Sequence, residues 1–149
     1  MQTITKNGLR VCMQLLRLQQ WHKQAYIMDL NEVVQKIREI QASINDLKAK
    51  ERAHAIEHKA SLVCPEIAIS TMSHLHSISI ELNRLHQELS TLKASEIVIE
   101  KKISVSEMKS SAIQNKLDGL NLQNKLDSEA VSQHELEQLW LLNRGKNND

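Results

Sequence analysis

Histidine and cysteine are the residues of this chain with the greatest capacity for chemistry, at seven and two copies. His54 and His58 are four residues apart, so in a helix their imidazoles lie one turn apart on one face, where both could bind a metal ion. Glu51 and Glu57 lie near, but the sequence places no third ligand. The alternative is that the pair occupies polar positions at the far end of a helical seam. We therefore expect no metal and no cofactor, and the role of the pair stays open.

The two cysteines indicate a reducing environment. If one helix joins Cys12 to the region of Cys64, the two thiols are about 80 Å apart, far beyond disulfide reach. The chain also lacks the glycine-rich, histidine-glutamate and serine motifs that mark nucleotide-binding loops, metalloproteases and hydrolases. Two packed helices form no cleft in which a substrate could be buried. We expect a protein that is not an enzyme.

The composition indicates which elements must carry these residues. There is no Phe, one Tyr and two Trp, whereas Leu, Ile, Gln, Lys, Glu and Ser dominate, as in long helices with a narrow apolar seam. Lys and Arg number 19 and the acidic residues 18, so no basic excess exists to hold a nucleic acid. The chain contains no run of about 18 apolar residues, the length that would predict a membrane span. We expect a cytoplasmic all-α protein without nucleic acid or direct membrane insertion.

Few residues interrupt the helical pattern. The chain has three glycines and one proline, Pro65, which cannot continue a helix and disfavours helix at Cys64. Asn7 and Gly8 predict a helix start, and Gly145 predicts a stop. The sequence thus predicts a single coiled-coil domain, 1–149, with helix one at about 8–61, a bend at about 62–66, helix two at about 67–144 and a frayed tail, 145–149.

Apolar residues recur in steps of three and four on both sides of Pro65, which is the seam pattern of a coiled coil. Folding the chain back at Pro65 pairs residues whose numbers sum to about 129, so Leu47 faces Leu82. Two polar layers then coincide, Gln19 with Ser110 and Lys23 with Ser106. Two chains pairing antiparallel would satisfy the same rows, so either a monomeric hairpin or a weak dimer is open. The two predicted rows are Leu9, Cys12, Leu16, Gln19, Lys23, Tyr26, Leu30, Val33, Ile37, Ile40, Ile44 and Leu47, and Leu75, Ile78, Leu82, Leu85, Leu89, Leu92, Glu96, Ile99, Ile103, Ser106, Ser110, Ile113, Leu117 and Leu120.

Helix two is predicted to continue past its partner, so that residues from about Leu122 to Arg144 overhang. Exposed apolar residues at such an end are typical of a binding surface, and Trp is enriched among interface anchors. A frayed end is the alternative. Acidic residues flank this end and basic ones begin helix one, either steering a partner or forming ordinary solvated faces. The residues predicted to bind a partner at this open end are Arg10, Arg17, Leu136, Leu139, Trp140 and Leu142.

The chain resembles the FliJ family of flagellar and type III secretion export proteins, the export stalk. The resemblance lies in its size, the run Leu15–Gln20 that leads into an uninterrupted helix, the proline break and the longer second helix. It implies a protein-binding rod that links the hexameric export ATPase to the export gate at the inner membrane and serves export chaperones. The open end would suit the ring, and the bend, with Leu62, Val63, Pro65 and Ile67, a second partner. Rival hypotheses are a self-associating scaffold or tether and a helical chaperone.

Overall fold

The protein consists of two long α-helices that pack antiparallel as a coiled-coil hairpin, as the sequence predicts. The computed structural model describes residues 2–60 and 63–147, with side chains from residue 5 onward. Helix α1 spans Gln2–Ala60 and helix α2 spans Pro65–Asn147. Neither helix holds an apolar stretch long enough to cross a membrane within the described residues.

Pro65 is the first residue of α2. The Cys64 carbonyl oxygen accepts a hydrogen bond from the Ala68 N–H at 3.0 Å, which closes the first helical turn. Proline suits this position, since the N–H that it lacks would have no helical partner there. Glu66 follows in the first turn, where a negatively charged carboxylate interacts favourably with the positive end of the helix dipole. The two helices are thus separated just before the proline, and Pro65 begins α2 instead of lying in the predicted bend at about 62–66.

The helix ends differ from the prediction because glycine does not end either helix. α1 begins at Gln2, so Gly8 lies inside it, and α2 continues through Gly145 to Asn147. A Cβ at Gly8 would lie 3.4 Å from Leu120 Cδ1, so the glycine sits against α2. Glycine in a helix interior costs about 1 kcal/mol, which packing of this kind offsets. The predicted starts at about 8 and 67 are therefore late.

Contacts divide the chain into two compact units, each containing part of both helices. The first unit comprises Met1–Gln24 and Ser104–Asp149, and the second comprises Ala25–Ile103. The prediction of a single domain stays a prediction.

The second unit holds the main apolar core. Ile40, Ile44, Leu82 and Leu85 are buried together. Leu47, Ile78, Leu89 and Leu92 pack around them, half-buried. Ile44 from α1 and Leu85 from α2 lie in one cluster, as folding the chain back at Pro65 predicts. Every predicted seam position along both helices is buried or half-buried.

The polar layers of the first unit differ in detail from the prediction. Ser106 is buried, and its hydroxyl lies 3.2 Å from the Gln19 carbonyl oxygen and 3.3 Å from Gln19 Oε1, either of which accepts its hydrogen bond. Lys23 Nζ lies 3.1 Å from Glu107 Oε1. Ser106, rather than Ser110, thus bonds to Gln19, whose main-chain carbonyl and side-chain amide oxygen both lie within reach of the hydroxyl. Ser110 Oγ is buried without a hydrogen-bond partner among the described residues.

Candidate protein-binding surfaces

The last part of α2 extends past the start of α1. Asn124 and Asp127 are half-buried, whereas every residue from 128 to 147 is exposed. We call residues 128–147 the overhang; at helical rise it is about 30 Å long. The overhang begins at residue 128 rather than near Leu122, since α1 extends back to Gln2 and covers more of α2 than its predicted start at residue 8 would.

The overhang carries large apolar side chains in contact with solvent. Trp140 is 60 % exposed, and Leu136, Leu139 and Leu142 are exposed to a similar degree. Leu136, Leu139 and Trp140 follow helical spacing and so share one face. The Arg144 guanidinium lies 5.3 Å from the centre of the Trp140 ring, a cation–π distance. An exposed tryptophan set among leucines is the composition of an interface anchor.

The basic residues predicted for this end lie elsewhere on the first unit. Arg10 and Arg17 are exposed on α1, in the stretch that packs against α2 before the overhang begins. Together with Lys6, Leu9, Met13 and Gln14 they line a depression of about 430 Å³. The structure therefore does not join Arg10 and Arg17 to the overhang residues in one surface.

The bend presents apolar residues to solvent. Val63 is almost fully exposed, and Pro65 and Ile67 are exposed as well. Leu62, the fourth residue predicted there, lies outside the described residues. The partner-binding role of the bend stays a prediction.

A histidine pair lies beside the bend, and it differs from the one that the sequence indicates. His54 stacks on His74 of the other helix, with ring centres 5.5 Å apart and planes 14° apart. His54 Nδ1 lies 3.3 Å from Glu57 Oε2. His54 thus contacts a histidine of the other helix, and the role of His54 and His58 as a pair stays open. Among the described residues, no three His, Cys, Asp or Glu side chains are grouped as metal ligands.

An apolar groove between the helices of the first unit is a surface that sequence reasoning missed. Val11 and Leu15 form part of one wall and are 52 % and 43 % exposed. The groove has a volume of about 660 Å³ and is lined by Thr5, Asn7, Gly8, Val11, Cys12, Leu15, Ile113, Lys116, Leu120 and Gln123. The signal was present, because Val11, Leu15 and Leu18 repeat the four-three spacing of the seam one residue earlier. A helix with two such rows can contact a helix on each side.

The resolved pKa shifts belong to Glu81 and Arg84 in the second unit. The Arg84 guanidinium donates hydrogen bonds to Glu81, at 3.0 Å from Nε, and to Glu88, at 3.2 Å from Nη1. The hydrogen bond from Arg84 lowers the pKa of Glu81, and Glu81 raises the pKa of Arg84 in return. These side chains are exposed, so the cluster stabilises the surface of α2 weakly and is screened by salt.

A comparison of the chain with protein-family models, curated proteins and solved structures finds no match.

Proposed function

We propose that this chain is a non-enzymatic coiled coil that binds another protein through its overhang. The observation that carries the proposal is the exposure of Leu136, Leu139 and Trp140 on one helical face, with no covering side chain from the described part of α1, residue 5 onward. Burying apolar surface contributes about 25 cal/mol per Å², and aromatic anchors of this kind dominate binding free energies. A cytoplasmic location belongs to the same proposal.

The more specific form of the proposal is an export stalk, in which the overhang enters the hexameric ATPase and the bend contacts the gate or a chaperone. It is supported by the resemblance to the FliJ family and by the exposure of both ends. A self-associating scaffold without an ATPase partner is the alternative, and the second apolar row of α1 favours it.

The test is affinity purification of the full chain from its native cells, with bound proteins identified by mass spectrometry. The pair Leu139→Ser and Trp140→Ser should lose the partner, because each replaces an exposed apolar anchor by a hydroxyl. Ile56→Ser is the matched control, since Ile56 is equally exposed but lies in the second unit. If the wild-type chain, the Leu139→Ser/Trp140→Ser double variant and Ile56→Ser all retain the partner equally, binding lies outside the overhang.

The export-stalk form has its own test with a purified export ATPase. Deleting residues 128–147 should abolish binding measured by calorimetry. Undiminished binding would count against entry of the overhang into the ATPase ring. The same assay with Val63→Ser and Ile67→Ser would then test whether the ATPase binds at the bend instead.

A further inference from the structure

The first unit carries two apolar surfaces without partners, the groove and the overhang. The groove runs along α1 from Thr5 to Leu15, and Leu18 extends its apolar row by one further turn. At helical rise, Thr5 to Leu18 spans about 20 Å. The two helices of the hairpin leave this groove open, so a helix that covers it has to come from outside the hairpin.

The overhang has the length and pattern of that third helix. Its apolar residues run from Val131 to Leu142, about 17 Å at helical rise, which matches the groove. Leu136, Leu139 and Trp140 form the face that would enter. The overhang does not fill the groove of its own chain, because it continues the same uninterrupted helix α2 whose residues 113–123 line the groove.

The charges of the two surfaces are complementary. Lys116 supplies the charge among the ten described residues that line the groove, and Lys109 lies two turns earlier on the same side of α2. Glu135 and Glu137 lie on either side of Leu136 in the overhang, flanking its apolar face. An acidic helix is therefore favoured in the groove over a basic one.

We propose that the overhang of a second copy of this chain occupies the groove, and that the exchange is reciprocal. Each copy then donates one overhang and receives one, so the contact closes as a twofold dimer without growing into a filament. A contact about 17 Å long and about 10 Å wide covers roughly 170 Å² on each partner, so the two contacts together bury on the order of 700 Å². That area is smaller than in stable specific interfaces and predicts a weak, concentration-dependent dimer.

The proposal goes beyond partner binding but uses the same overhang, so the dimer and the partner complex compete. A dimer buries Trp140 until a tighter partner displaces the second copy. Self-association would thereby protect an otherwise exposed apolar surface.

Sedimentation equilibrium of the full chain tests the proposal. The wild-type chain should pass from monomer to dimer as its concentration rises, and Leu136→Ser with Trp140→Ser should weaken the dimer about tenfold or more. Leu15→Glu should do the same from the groove side, because it places a carboxylate against Glu135 and Glu137. Leu15→Lys is the matched variant and should weaken the dimer less. Circular dichroism verifies that each variant keeps its helices.

Mixing the two kinds of variant decides between this exchange and any other dimer. In a dimer of Leu15→Glu both grooves are altered, and in a dimer of Trp140→Ser both overhangs are altered. In a mixed dimer, the intact overhang of the Leu15→Glu chain can enter the intact groove of the Trp140→Ser chain. Association should therefore reappear in the mixture at intermediate strength. A wild-type chain that stays monomeric, a Leu15→Glu chain that dimerises as wild type, or a mixture without recovery would each overturn the proposal.

The same variants separate this inference from the proposed function. Leu15→Glu leaves the overhang intact, so it should lose the dimer and keep the partner protein. If Trp140→Ser loses the dimer but still captures the partner, partner binding through the overhang fails while the exchange stands.

Discussion

Replacing Ile44 by alanine measures how much the core of the second unit contributes to stability. Ile44 is 5 % exposed and lies in the cluster with Ile40, Leu82 and Leu85. Ile44→Ala removes three carbons, at about 0.8 kcal/mol each, so the loss of burial costs roughly 2.4 kcal/mol. The cavity left behind adds about 1 kcal/mol, and the higher helix propensity of alanine offsets about 0.4 kcal/mol. We expect the free energy of unfolding to fall by about 3 kcal/mol.

Ile56→Ala is the matched control, since Ile56 lies on the same helix and in the same unit but is 69 % exposed. Because less than a third of this side chain is buried, its truncation loses only about 0.7 kcal/mol of burial free energy. The higher helix propensity of alanine offsets about half of that loss. Urea unfolding followed by circular dichroism at one protein concentration compares the two. If Ile44→Ala leaves too little folded protein, Ile44→Val should still cost about 1 kcal/mol. Equal losses for Ile44→Ala and Ile56→Ala would refute the assigned core.

Three further outcomes are expected. Gly119→Ala should raise the free energy of unfolding by up to about 1 kcal/mol, because Gly119 lies inside α2 with open space at its Cβ; a fall in the urea midpoint would indicate an unseen contact. Ser106→Ala should cost about 1 kcal/mol through its lost buried hydrogen bonds, whereas the exposed Ser104→Ala should cost almost nothing by the same urea assay. Arg84 holds the pKa of Glu81 below its ordinary value of 4.5, so the stabilisation is present above that pH and lost as pH falls through the lowered pKa. The stability difference between wild type and Glu81→Gln should therefore shrink on acidification below pH 4.5, and a difference that grows would contradict the assigned cause.

The seam and the break were predictable from sequence because each has one dominant physical cause. Steps of three and four place Ile40 and Ile44 on one face whatever the tertiary context, and Pro65 forbids a helix through itself. The helix ends were predicted less well, since they depend on a balance between local helix propensity and packing against the other helix. Gly8 lowers helix propensity locally, yet α1 continues through it, and the neighbouring Leu120 side chain belongs to the other helix.

The candidate surfaces were predictable where they depend on one helix and missed where they depend on two. Exposure of Trp140 follows from the unequal length of the helices. The groove requires Leu15 and Lys116 to border one space, and the His54–His74 stack requires residues 20 positions apart to meet across the bend. Such pairs follow from the register between helices, which a pattern within one helix does not reveal.

The thinness of the core has a calorimetric consequence. None of the described side chains is less than 2 % exposed, and the accessible surface is 11625 Å². A compact protein of 17.1 kDa would expose about 7,700 Å². Because the heat-capacity change of unfolding follows the apolar area newly wetted, its value per residue should fall below the usual 12 to 15 cal/mol/K, which are about the averages for globular domains. The plot of stability against temperature is then less strongly curved, so stability on cooling falls away less than in a globular domain with the same midpoint and the same unfolding enthalpy there.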